Sequence, residues 1–230
     1  MSDQRTRVKA LLAVAQHPNT PPHEAETALA LASKLMLKHG LSADDVADTD
    51  AAAPDESVVL ETVTITGPYR VRRVSILYTL AVIHSCSAFR DFDDGDECIM
   101  RIFGRPSDIF AARSLFAATE VLAARLLPKG DRSSRTSWFK GFEAGIQESL
   151  GAARSQFIDE TPGAGLVLAD RGARAHAERR VYLRSHGIHL AGGTTWADTT
   201  SSSFGAGHSA GKSFGGSGRS FTSGVRGEIG

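Results

Sequence analysis

Proline-bearing breaks constrain this chain more than any other feature of its sequence. They fall at HPNTPP (17–22), Pro68, Pro106, PKGD (128–131) and ETPGAG (160–165). Proline has no amide hydrogen to donate and its ring crowds the preceding turn, so a helix can begin at such a point but does not run through it. The stretches between the breaks carry apolar residues at helical spacing. Residues 3–39 read as a helical hairpin. Val8, Leu11, Leu12 and Ala15 share one face of its first arm; Ala25, Ala28, Leu29, Ala32, Leu35 and Met36 share one face of its second. Thr20 is placed to cap the second arm, with Pro21 and Pro22 in the first turn, Glu24 and Glu26 at the positive end of the dipole, and Gly40 ending the helix.

Downstream, SVVLETVTI alternates and is rich in β-branched residues, which predicts a strand. A helix follows from Pro68 through His84, with Val71, Val74, Leu77, Tyr78, Ala81 and Val82 as its expected buried face. SCSAFRDFDDGDECIMRIFG holds five acidic residues, but counting from Asp91 puts Gly95 at position five and Ile102 at position twelve, where a calcium loop needs glycine at six and a bidentate glutamate at twelve. Asp94-Gly95 between two β-rich runs predicts a tight hairpin turn instead. A two-residue loop there sets Asp91 opposite Cys98 and Cys86 opposite Phe103, so the two cysteines would lie on opposite faces and could not bond. Two long helices are expected next. One runs from Pro106 to about Leu127, with Ile109, Phe110, Leu115, Phe116, Leu122 and Leu126 inward; the other spans 132–158, with Trp138, Phe139, Phe142, Ile146 and Leu150 inward. Gly141 and Gly145 share a face of the second and permit a close neighbour. GLVLAD reads as a short strand or helix start, and RGARAHAERRVYLRSHG as a basic helix.

From Gly187 onward Gly, Ser and Thr prevail without periodicity, which predicts a flexible tail, with Phe204, Phe214 and Phe221 beside Lys212, Arg219 and Arg226. Within it, AGHSAGKS (206–213) satisfies the relaxed spacing of a phosphate-binding loop. Such a loop needs a strand before it and a helix after it, and neither flank supplies one. The expected fold class is α+β: a helical hairpin (1–42), an acidic linker (43–56), a core domain of a small antiparallel sheet packed by several helices (57–186), and a flexible Gly/Ser-rich tail (187–230).

The formal net charge is zero, yet the linker is purely acidic while KGDRSSRTSWFK and RGARAHAERRVYLR are strongly basic. Separation of this kind can steer an anionic partner to one side. The two cysteines lack histidines at zinc-binding spacing, HEAET at His23 has Thr27 where a metalloprotease needs its second histidine, and Glu143 and Glu148 are too far out of phase to share a helix face. His186 and His189 are close in sequence without a further ligand nearby, and His84 reads as a satisfied core residue. No cofactor is expected. No stretch is apolar enough to span a membrane and no secretory apolar region is evident at the N-terminus, so a cytoplasmic location is expected.

The run RVKALLAVAQHPNTPPHEAETALALASKLMLKHGLS, with its basic-apolar first helix, Pro/Asn turn, Glu24-Ala25 and the ending from Leu35 to Leu41, resembles the N-terminal helical module of an uncharacterised domain family common in actinobacterial, phage and mobile-element proteins. In members of that family a second uncharacterised region follows, similar to residues 72–185 here. The resemblance implies relatives without an assigned reaction and supplies no catalytic residues.

These readings converge on a non-catalytic accessory protein of a phage or mobile element that associates with nucleic acid. The residues expected to neutralise phosphates are Arg132, Arg135, Lys140, Arg171, Arg174, Arg179, Arg180 and Arg184, with tail aromatics stacking on bases. That expectation requires the two basic stretches to converge on one surface. A structural or assembly protein, and a metal-dependent enzyme with a dispersed site, are the alternatives.

Overall fold

The helical hairpin forms where its apolar spacing places it. In the computed structural model, which describes residues 2–17, 19–40, 57–91, 96–190 and 201–213, α1 spans Ser2–Gln16 and α2 spans Pro22–Gly40. Val8, Leu12 and Ala15 of α1 are buried, as are Ala25, Ala28, Leu29 and Ala32 of α2. The start of α2 differs from expectation by one residue. The Pro21 carbonyl accepts from the amides of Glu24 and Ala25, so Pro21 is the capping position and Pro22 the first helical residue. Thr20 instead is buried and its carbonyl accepts a hydrogen bond from the guanidinium of Arg125, which ties the hairpin turn to a later helix. The acidic linker (43–56), the turn residues Asp94 and Gly95, and Phe214, Phe221, Arg219 and Arg226 lie outside the described residues, as do the side chains of His23 and Glu26.

The core combines a three-stranded antiparallel sheet, β1 (Val59–Thr66), β2 (Ser87–Arg90) and β3 (Glu97–Gly104) in the order β1-β3-β2, with five further helices: α3 (Arg70–Ile83), α4 (Pro106–Leu126), α5 (Arg132–Glu160), α6 (Ala164–Ser185) and α7 (Ser202–Ser213). The α+β class therefore stands. Among the described residues no helix is long and apolar enough to cross a membrane.

The hairpin register is shifted from the two-residue-turn expectation. Ser87 pairs with Phe103 and Arg90 with Met100, and the Asp91 amide donates to the Ile99 carbonyl. Asp91 thus opposes Ile99 rather than Cys98. A one-residue shift moves every side chain to the other face, and Cys86 now stands opposite Gly104, where a Cβ would lie 2.6 Å from its Sγ. Cys86 and Cys98 therefore share a face, contrary to expectation. Six strand positions, roughly 20 Å, still separate them, and both thiols are free and buried.

Alternation along β3 divides the molecule into layers. Cys98, Met100 and Ile102 join the main core with residues of α3, α4 and α5, whereas Phe103, with Phe89 of β2, packs at a tilt against Tyr182 of α6 on the other face. The helix α3 is covered by the sheet on one side and by α5 and α4 on others, so its buried face is wide: Val74, Ile76, Leu77, Thr79, Leu80, Ala81 and Ile83. Tyr78 and Val82, expected inward, are exposed, and Phe110 of α4 is 58% exposed. The inward set expected of α5 is buried throughout. Asp131 caps that helix, its carboxylate accepting from the Ser134 amide at 2.7 Å, and this bond holds its carboxyl below the usual range. GLVLAD begins α6, which continues without a break through the basic segment and ends in a Schellman motif. There Ile188 donates to Leu183 and Gly187 to Arg184, with Gly187 at φ 62°.

The expectation of a flexible tail fails for Ser202–Ser213. This segment is helical and lies directly on α5. A Cβ on Gly141 would run into the Phe204 carbonyl, and one on Gly145 into that of His208; reciprocally, Gly207 abuts the Trp138 carbonyl and Gly211 that of Phe142. Glycines four apart on both helices let the two backbones touch. At the margin, Glu148 of α5 accepts from Lys212 Nζ at 2.6 Å and from His208 Nε2 at 3.0 Å.

Candidate functional site

Sequence rules place acidic residues in the first turn of a helix, where the dipole is positive. The first turn of α3 does the opposite: Arg70, Arg72 and Arg73 follow Gly67, Pro68 and Tyr69 directly. Tyr69 occupies the capping position in the left-handed conformation at φ 57°, with no side-chain cap, and its carbonyl accepts from the Arg72 and Arg73 amides. Left-handed backbone at a bulky residue is uncommon and is retained where the surroundings enforce it. Here Gly67, at φ 83°, turns the chain out of β1, and the Tyr69 ring tilts against Phe139 of α5 at 5.2 Å.

This turn forms one wall of a cleft of about 1140 Å³ between α3, α4 and α5. Arg132, Arg135, Thr136 and Phe139 of α5 form a second wall; Phe116, Thr119, Glu120, Val121, Ala123, Ala124 and Leu127 close the third side. Five arginines and one carboxylate thus line the cleft, an excess of four positive charges. Glu120 accepts from Arg73 Nε, and Arg73 also donates to the Thr66 carbonyl at 2.6 Å. Arg135 Nε donates to the Pro128 carbonyl at 3.2 Å. Arg72 is held below the usual guanidinium range by burial, with Arg90 adding to the shift and Glu143 opposing it. Burial and then Arg72 likewise push Lys140 down, again against Glu143. Glu143 is itself fixed by Ser75 Oγ at 2.6 Å and Thr79 Oγ1 at 3.1 Å. Both shifts arise chiefly from burial, which disfavours the charged form, and a bound anion would offset that cost.

The eight cations expected to share one surface do not do so. Arg132 and Arg135 line the cleft, and Lys140 is buried next to Arg72. Arg171 is a core residue, 3% exposed, paired with Asp108 at 3.5 Å. Arg174 pairs with Asp170 one turn back on α6, and Arg179 donates to the Ala88 carbonyl at 3.0 Å, occupying the outer edge of β2. Arg180 and Arg184 are exposed, but they flank Tyr182, which packs on the sheet face opposite the main core. The basic helix α6 therefore contributes a structural lock and a sheet-edge cover before it contributes free charge. Arg70, Arg72 and Arg73 were missed, although three arginines at a helix start break the dipole rule visibly in the sequence. A local rule broken without local compensation is itself a signal of function.

Residues 206–213 lie inside α7, where their amides belong to a helix rather than to a loop that could cradle phosphate. GHSAG at 207–211 also has the spacing of a hydrolase nucleophile elbow, but that motif requires a strand-to-helix turn and Ser209 is mid-helix. His84 is buried as expected, yet its Nε2 has no hydrogen-bond partner among the described residues. His186 bonds through Nδ1 to the Tyr182 carbonyl at 2.9 Å. Among the described residues no three His, Cys, Asp or Glu side chains come together in a way that could hold a metal ion.

Comparison with known proteins bears out the resemblance seen in the first helices: residues 5–43 match the family described as Protein of unknown function (DUF2786). The match covers α2 and all but the first three residues of α1, and ends before β1. No curated protein and no solved structure matches the chain.

Proposed function

We propose that this protein binds nucleic acid through the arginine-lined cleft between α3, α4 and α5, as an accessory protein without a reaction of its own. The observation that carries the reading is that Arg70, Arg72, Arg73, Arg132 and Arg135, from two helix starts far apart in sequence, border one recess containing a single carboxylate. Guanidinium groups suit phosphates because their fork of donors matches phosphate oxygens and their charge does not titrate away. Aromatic rings at the same recess suit bases. The phosphate-contacting set expected from sequence is thereby narrowed to Arg132 and Arg135, with Lys140 buried near Arg72, and extended to the first turn of α3. A cytoplasmic location and an origin in an actinobacterial phage or mobile element accord with this reading, the latter through the resemblance of the first two helices.

The test is binding of a labelled oligonucleotide at several salt concentrations. Phosphate pairing makes log K fall linearly with log salt, with a slope of roughly 0.7 to 0.9 per neutralised phosphate. The double variant Arg132→Ala, Arg135→Ala is expected to weaken binding and to lower that slope by about 1.5. Affinity that is independent of salt, or a double variant with the parent's slope, would refute the proposal.

A further inference from the structure

We infer that the ligand of the cleft is single-stranded nucleic acid, several nucleotides long, with at least one base stacked on Tyr69. The inference rests on the reading above and narrows it. A duplex presents its phosphates on a convex cylinder and is read by elements that protrude into its grooves. Here the arginines border a concavity, so a duplex could touch its rim but not enter it. A strand can enter, because its backbone bends and its bases are unpaired.

The lining divides the same way. Arg72 and Arg132 stand on the basic walls, while Val121 and Ala124 of α4 and Leu127 just past its end supply an apolar wall. Phosphate gains nothing from that apolar wall, whereas the face of an unpaired base is covered by it. Tyr69 is a partly exposed residue of the cleft lining, and its ring is backed by that of Phe139. Its left-handed backbone turns it there while the helix that follows carries the arginines. One residue thus joins a stacking surface to a row of phosphate partners. A volume of about 1140 Å³ lies above the range of sites for one small ligand, typically about 300 to 1,000 Å³, which leaves room for more than one nucleotide.

The experiment uses the full chain and fluorescence anisotropy at fixed ionic strength. The probes are a labelled single-stranded oligonucleotide, the duplex of the same sequence, and ATP as an unlabelled competitor. The single strand is expected to bind about tenfold or more tightly than the duplex, and ATP to compete only weakly. A duplex that binds as tightly, or ATP that displaces the strand at equal concentration, overturns the inference and leaves nucleic-acid binding standing. No binding of either polymer at low salt overturns the reading beneath it. Tyr69→Asn removes the ring while suiting left-handed backbone, and Tyr69→Phe keeps the ring. The first is expected to weaken single-strand binding about fivefold or more with the salt slope unchanged, and the second to bind within about twofold of the parent. Equal affinity of the Tyr69→Asn variant and the parent would overturn the stacking role.

Discussion

Glu120 opposes the rest of its cleft. It is the only carboxylate among the cleft-lining residues, and it engages Arg73. Glu120→Gln is therefore expected to leave the charge of that guanidinium unopposed and to raise oligonucleotide affinity about two- to tenfold at low salt, an effect that shrinks as salt is added. The pair is partly exposed, so the same change should cost no more than about 1 kcal/mol of stability in a urea titration. His84 makes a separate prediction. It is 2% exposed, and burial followed by the nearby Arg154 guanidinium pushes its pKa down from 6.5 to about 3. The folded protein thus excludes a proton that the unfolded chain accepts, so stability is unaffected above about pH 6.5 and falls progressively as pH drops toward 3. His84→Phe should flatten that part of the acid limb, which urea midpoints at pH 7 and pH 4.5 would reveal. Cys86 is also buried, and burial together with Asp108 and Glu61 raises its thiol pKa, so alkylation of the native protein should be slow and limited by unfolding.

The helix α7 shows how an element can form against its own propensities. Its twelve residues include Gly205, Gly207 and Gly211, each costing about 1 kcal/mol relative to alanine in a helix interior. Two of the three lie against α5 backbone, and the third meets nothing within 4 Å. The contact explains the cost: a larger residue at Gly207 or Gly211 would separate the helices and lose dispersion along their whole length. Gly207→Ala is accordingly expected to release α7, seen as faster proteolysis or amide exchange across residues 202–213. Gly205→Ala should leave docking intact and add up to about 1 kcal/mol of helix stability. Equal behaviour of the two variants would contradict backbone contact as the basis of docking. The opposite economy holds in α3, whose arginine-rich first turn opposes its dipole by about 0.3–1 kcal/mol for each charge and is held by packing between the sheet and α5.

At the scale of the whole molecule, the sheet separates two basic surfaces. Arg132 and Arg135 stand on the side of α3, α4 and α5, and Arg180 and Arg184 on the side of α6. With zero net charge overall, binding depends on where charge is placed rather than on how much there is. Arg132→Glu with Arg135→Glu should lower oligonucleotide affinity by about a hundredfold at low salt, whereas Arg180→Glu with Arg184→Glu should change it by about threefold or less. Comparable losses from both pairs would place the ligand across the sheet edge instead of in the cleft. The fold also separates the family-matched hairpin from the cleft, since α1 and α2 pack on α4 and α5 while contributing no lining residue.

Sequence alone determined the punctuation of this protein as far as the end of α6: where most of its helices begin and end, that a sheet lies among them, and which residues of α5 turn inward. Those features follow from backbone chemistry and apolar spacing, which act over a few residues. Tertiary structure decided the rest, because the deciding partners are remote. The glycines of residues 205–211 become a helix because Gly141 and Gly145 offer a bare backbone to lie on. Arg171 becomes a core ion pair because Asp108 lies against it, while Arg180 remains a surface charge, although both stand in the same basic segment of α6. Convergence of Arg70, Arg72 and Arg73 with Arg132 and Arg135 depends on how α3 and α5 are laid side by side, and no local rule encodes the distance between two helices some sixty residues apart.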